Sequence, residues 1–369
     1  MKKYFSLVFL PCLILSGILL STTALEVRGT PKWKGQKFRG VSWEASDSIA
    51  TQHIKTLKPH SVNWIAQTPF GWQADIHKPE LVYRSNRGYW GERDAGLINT
   101  ALVAREAGVE TMLKPHIWLR RNAGGWRSDI EMQSEEDWQT WFENYEAFIL
   151  HYAKLAEEQS IPVLCIGTEL YLCATKREQD WRDLIVKIRA TYSGQLTFAA
   201  NFYKEYEEIQ FWDDLDFIGI QGYFPLTKKN NPSLKELKEG WAPHYKKIKK
   251  LSKRWNKPVI FTEFGYRSMK DAAIEPWVWP NDIEFTDTDI SPETQALCYE
   301  AFFQTFWKED WLAGVFLWKW SRRNYKPDAY YQRLNRPGRN GRKRKDLSPI
   351  DFSPKTEGLE VIGEWFGNP

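Results

Sequence analysis

Two short stretches of this 369-residue sequence share one design. Pro162-Val-Leu-Cys-Ile-Gly-Thr-Glu169 and Pro258-Val-Ile-Phe-Thr-Glu263 are apolar runs of strand character, each closing on Thr and then Glu. A carboxylate launched from the end of a buried strand is held rigidly, which suits acid–base or nucleophilic chemistry. Two of them suit glycosidic bond cleavage. There one carboxyl protonates the leaving oxygen, and the other attacks the anomeric carbon or activates water. The plainer alternative is that each glutamate only pairs with a nearby cation, such as Lys114 or Arg267.

Bringing two strand ends together requires a particular set of elements. Short apolar runs alternate with longer helical patterns along the chain, the signature of parallel βα units. Strands are predicted at 38–43, 61–66, 109–117, 162–168, 196–200, 216–221, 258–263 and 314–318. A first helix is predicted to open at Ser46-Asp47, and others cover 92–107, 134–159, 178–192, 206–211, 234–255, 293–309 and 357–366. Ser134-Glu-Glu-Asp137 reads as a capping box and Ser291-Pro292 as a helix start. Eight such units predict an α/β fold, a single closed (β/α)8 TIM barrel filling residues 25–369. An open doubly wound sheet is the weaker reading, because no Gly-rich nucleotide loop follows any strand. In a barrel the functional mouth lies where strands end, so Glu169 on strand four and Glu263 on strand seven would meet there.

Further side chains fall at the same predicted rim. Lys114 and His116 lie two apart on strand three and are placed facing the same way, toward sugar hydroxyls. Trp43 and Glu44 close strand one, where alternation lets only one of them point inward. Asn201 ends strand five. Trp72 and Trp90 follow strand two, Trp118 and Trp126 follow strand three, and Trp277 and Trp279 follow strand seven; some of these should line a cleft. Trp138, Trp141, Trp181 and Trp255 fall within helices and read as core.

Composition sets the outer limits. Twenty Trp, 16 Tyr and 20 Phe exceed what loops need, so much of this aromatic surface must be core, and Trp in the mouth suits stacking on sugar C–H faces. The formal net charge is +4, too near neutral to argue for a nucleic-acid partner. The six His are scattered without metal-ligand spacing, and no Gly-x-Ser-x-Gly elbow is present, so neither a metal nor a cofactor is expected. Met1-Lys-Lys, an apolar run to Leu20 and Ser21-Thr-Thr-Ala24 read as a cleavable signal peptide over 1–24. The protein is therefore expected to be exported, periplasmic or extracellular, with no membrane segment after signal removal. Cys165, Cys173 and Cys298 then remain, an odd number that argues against a disulfide framework. The run from Arg336 to Lys345 holds six cations in the loop after strand eight and reads as a solvated loop, with contact to acidic saccharides as the sharper alternative.

Gly167-Thr-Glu169 together with Thr262-Glu-Phe-Gly-Tyr266 resembles the retaining β-glycosidases built on (β/α)8 barrels. Lys114-Pro-His116, Tyr223-Phe-Pro-Leu226 and Gly314-Val-Phe-Leu-Trp-Lys-Trp320 resemble glycoside hydrolase family 113, the β-mannanase family, and the likeness runs from about Phe38 to Phe366. The resemblance implies that Glu169 is the acid/base and Glu263 the nucleophile, and that the substrate is a β-linked oligo- or polysaccharide. It also implies that Tyr223 donates to Glu263 and that Trp318 forms a platform under the cleaved sugar. Trp320, two residues on, is expected to project the same way. One position departs from the family pattern: relatives carry Asn before the acid/base, where this chain has Thr168, and Asn201 could supply an amide instead. Two rivals remain. One is the same chemistry on another β-glycan, or exo action as a mannosidase; the other is a catalytically inactive glycan-binding barrel.

Overall fold

The structure is a computed structural model that describes residues 32–83, 88–334 and 345–368. The predicted signal segment 1–24 and residues 336–344 of the basic run lie outside the described residues. Eight parallel strands close into a barrel in the order β1 (Phe38–Trp43), β11 (Leu312–Trp320), β10 (Val259–Phe264), β9 (Phe217–Gln221), β8 (Gln195–Ala200), β7 (Val163–Thr168), β5 (Glu110–Leu113) and β2 (Trp64–Gln67). β1 pairs with both β11 and β2, which removes every free edge from the barrel sheet. Gly314 makes this closure possible: a Cβ there would stand 2.3 Å from the Phe38 carbonyl oxygen.

The near-continuous apolar runs seen in the sequence follow from burial on both faces of a parallel sheet. Inward-facing Phe38, Met112, Val163, Phe217, Ile260 and Phe316 fill one end of the barrel. Trp33 stacks on Phe38 at 5.7 Å and closes that end against solvent. The outward faces pack under the helices Asp94–Glu106, Glu135–Glu158, Glu178–Thr191, Leu234–Trp255, Pro292–Phe306 and Thr356–Gly367. Ser134, Ser233 and Ser291 cap three of them, each accepting from the amide three residues on. Trp138, Trp141 and Trp181 are buried in this layer and Trp255 packs half-buried against it. Cys165, Cys173 and Cys298 are separate buried thiols.

The prediction fails in two places. Strand three does not run through 109–117: β5 stops at Leu113, and His116–Leu119 (β6) joins Phe70–Gln73 (β3) and Leu81–Val82 (β4) in a small second sheet. Pro115 lacks the N–H that a continuing ladder needs, so the chain leaves the barrel there. The first helix starts at Thr51 rather than near Ser46, and its last turns are 3-10, with Pro59 inside them. No helix among the described residues is long and apolar enough to cross a membrane.

Candidate active site

Where the barrel strands end, the loops enclose a cavity of about 700 Å³. Glu169 and Glu263 both line it. In the barrel order β7 and β10 are separated by β8 and β9, so the two carboxyls approach from different sides of the mouth.

Glu263 is surrounded by donors. Its Oε1 accepts a hydrogen bond from the Lys114 ammonium, and its Oε2 accepts one from the Tyr223 hydroxyl at 2.8 Å. Burial and then the neighbouring Glu263 charge push the Tyr223 hydroxyl well above its ordinary value, so it stays a donor. His116 Nε2 lies 3.8 Å from the same carboxylate. Arg127 donates to His116 Nδ1 at 3.0 Å, which leaves the ring proton on Nε2, facing Glu263. Burial first, then Lys114 and Arg127, holds His116 well below its ordinary range and therefore neutral.

Glu169 has a different environment. It follows β7 in the left-handed region at φ 53°, a conformation that costs a non-glycine residue about 1–2 kcal/mol. Its Oε2 accepts from the Trp126 indole at 3.0 Å, and Arg127 Nε approaches to 3.3 Å without a hydrogen bond from that nitrogen. Burial raises its pKa above the ordinary carboxyl value, opposed by Arg127 and reinforced by the Glu263 charge. Arg127 lies over Trp126 at 4.4 Å and Trp118 at 5.7 Å, so two indoles fix its plane. Sequence reasoning missed Arg127. Its only signal was an Arg directly after Trp126 in the loop beyond strand three.

Trp43, His116, Trp118, Asn201, Tyr223 and Trp318 all line the cavity. Trp318 ends on a cis peptide to Lys319 and meets the edge of Trp279 at 6.2 Å. Phe202 and Trp277 stack at 5.3 Å and form the wall beyond β8. Trp43 and Glu44 both reach the cavity, because β1 ends at Trp43 and strand alternation no longer governs Glu44. The Glu44 carboxylate is engaged by Arg322, which donates from its backbone amide at 3.0 Å and from its guanidinium at 3.1 Å.

Two expected sugar contacts are corrected. Trp320 faces away from the cavity: it is 3% exposed, donates to Thr56 Oγ1 at 3.3 Å and lies 5.6 Å from the His60 ring. Val41 pairs with Leu317 but Trp43 pairs with Trp320, so β11 carries an extra residue there. That bulge turns Trp320 to the outer face. Lys114 is 0% exposed and spends its charge on Glu263 beneath the cavity floor rather than on a sugar hydroxyl. Thr168 is also buried and does not line the cavity, whereas Asn201 does, although its Oδ1 already accepts the Tyr203 amide at 2.9 Å. Trp72 and Trp90 lie outside the lining, while Trp126, Trp277 and Trp279 are part of it. No cluster of three or more His, Cys, Asp or Glu side chains suited to a metal ion is found among the described residues.

A family model for Glycoside Hydrolase Family 113 matches residues 33–334. The chain belongs to glycoside hydrolase family 113. It is therefore a glycoside hydrolase. No curated protein matches it significantly. Among solved structures it is similar to a family 113 β-1,4-mannanase at 23% identity and TM-score 0.73, covering 91% of this chain and 100% of that one. The family 113 β-mannanase of Alicyclobacillus acidocaldarius has 23% identity and TM-score 0.71, covering 90% and 98%. A β-glucuronidase from Ruminococcus gnavus is more remote, at 13% identity and TM-score 0.56, covering 89% of this chain and 49% of that one. At these identities the likeness establishes the barrel, and it is the family match that makes this a family 113 hydrolase.

Proposed function

We propose that this family 113 enzyme is a retaining, endo-acting β-1,4-mannanase that is exported from the cell. The substrate assignment rests on the names of its structural neighbours, and export rests on the N-terminal sequence pattern. One observation carries the mechanism. Two buried carboxyls share a cavity, one with its pKa raised by desolvation, the other held by a cation and a hydroxyl.

The cycle follows from that asymmetry. With a sugar seated over Trp318, Glu169 donates its proton to the glycosidic oxygen as the bond to the anomeric carbon breaks. Glu263 attacks that carbon from the opposite face and forms a glycosyl ester. Lys114 and Tyr223 each hold one oxygen of the attacking carboxylate, so little reorientation is left for the transition state. Once Glu263 is an ester its negative charge is gone, and one of the causes that raise Glu169 goes with it. Glu169 is then a weaker base-holder of protons and stays a carboxylate until water arrives. It takes a proton from that water, hydroxide attacks the anomeric carbon, and Glu263 leaves. Two inversions return the β configuration.

The test is hydrolysis of β-mannan and β-mannooligosaccharides with NMR detection of the first anomer released. β-Product from wild type, with turnover lost in both Glu169→Ala and Glu263→Ala, supports the assignment. α-Product, or full activity in either variant, overturns the mechanism. Activity confined to another β-glycan, or release of single mannose units from chain ends, overturns the specificity and leaves the carboxylate pair intact.

A further inference from the structure

The proposed cycle leaves one carboxyl near Glu169 without a task. Glu205 opens the one-turn helix Glu205–Glu208 after β8 and is 0% exposed. Its Oε2 accepts the backbone N–H of Asn201 at 2.6 Å, and its Oε1 has no hydrogen-bond partner among the described residues. Charged groups within reach are Glu169 and Arg127, and the buried Cys173 thiol senses Glu205 from the helix Tyr171–Lys176. Burial pushes the Glu205 carboxyl well above the usual range.

The Asn201 amide defines what this carboxyl does. Asn201 is the first residue beyond β8. Two residues earlier on β8, the Ala199 carbonyl accepts the Glu169 amide at 2.9 Å, while Glu169 itself sits at φ 53°. A left-handed non-glycine residue persists only where its surroundings over-determine it. We propose that Glu205 is a positioning residue for the acid/base: by holding the Asn201 amide it pins the end of β8, to which the Glu169 amide bonds, and so keeps Glu169 aimed at the leaving-group oxygen. This rests on the reading of Glu169 as acid/base.

A positioning role through Glu169 has a kinetic signature that a general structural role lacks. A 2,4-dinitrophenyl leaving group departs without a proton, whereas a sugar leaving group needs one. The measurement is kcat/KM, which reports the first bond cleavage, on a dinitrophenyl glycoside and on an oligosaccharide of whichever β-glycan the wild type hydrolyses. Glu205→Leu is expected to lose about 10- to 100-fold on the oligosaccharide and less than about threefold on the aryl glycoside. Glu205→Asp, which keeps the carboxyl but shortens its reach, should show the same split if the Leu variant does not fold. Glu205→Gln, which keeps an acceptor for the Asn201 amide, should retain most activity on both. Equal losses on the two substrates, in whichever of these variants folds, overturn the proposal. Glu169→Ala serves as the reference: if it shows no leaving-group dependence, the acid/base assignment fails, and the Glu205 proposal fails with it. A split in Glu169→Ala that is absent from every folded Glu205 variant removes the Glu205 proposal alone.

Discussion

The ends of β7 and β10 both deliver a glutamate to one cavity, and the chain around them is similar: apolar strand, Thr, Glu. Their tertiary surroundings are opposite. At β10 the carboxylate meets Lys114 from the end of β5 and Tyr223 from beyond β9, two donors on its two oxygens. At β7 the carboxyl meets an indole N–H and a guanidinium already engaged with His116, and burial outweighs them. The backbone differs as well, since Glu263 lies within a strand and Glu169 lies past its end at φ 53°. A shared sequence motif therefore meets two different environments, and the difference comes from what the other strands bring to each oxygen.

The sharpest way to break the comparison is to exchange each glutamate for a neutral residue and supply azide. Glu263→Ala should lose on the order of 10⁴-fold or more in kcat and, with azide, give the α-glycosyl azide. Glu169→Ala should lose about 10²–10⁴-fold on oligosaccharides and give the β-glycosyl azide from an aryl substrate. Identical azide products from both variants would mean that the two ends do not differ as described.

The Lys114–Glu263 contact can be separated from catalysis by stability. Lys114→Met leaves a buried carboxylate without its cation and should cost about 3–5 kcal/mol in denaturant unfolding. Adding Glu263→Gln should restore much of that loss, because the uncompensated charge is gone. Additive losses in the double variant would show that the pair is not coupled.

A smaller effect is expected from Tyr223→Phe, which removes one charge-assisted hydrogen bond and should lower kcat about 10- to 100-fold. An unchanged kcat would place the tyrosine outside the nucleophile's support.

Arg127 gives a prediction in pH. In the proposed cycle bond cleavage needs Glu169 protonated, so kcat/KM should fall as pH rises through the Glu169 pKa. Arg127 favours the carboxylate form. Arg127→Met should therefore raise that pKa further and move the alkaline limb of the profile to higher pH. A shift to lower pH would show that the guanidinium does not act on Glu169.

The smallest contrast lies on β11. Trp318→Ala should raise KM, whereas Trp320→Ala should lower thermal stability and leave KM unchanged, since only the first ring reaches the cavity. A raised KM in the second variant would place Trp320 at the substrate after all.

Much of the molecule was legible in the order of its residues. Eight apolar runs ending in polar residues can bury both faces only inside a ring of helices, which dictates a parallel barrel and sends Glu169 and Glu263 to the same rim. The serine caps and the core tryptophans of the helices follow from local hydrogen bonding and 3.6-residue periodicity. Tertiary structure decided the rest. Alternation along β11 predicts that Trp318 and Trp320 share a face, but a bulge against β1 separates them. Spacing pairs Lys114 with His116, yet Pro115 breaks the strand between them and leaves Lys114 beneath the cavity floor and His116 on its lining. Arg127 and Glu205 carry no periodic signal: Arg127 reaches Glu169 from a separate segment across the mouth, and Glu205 lies in the short turn of helix after β8. A sequence pattern records which face each residue of a regular element presents. Bulges, breaks and burial depth depend on contacts between elements, and those set what surrounds each carboxyl.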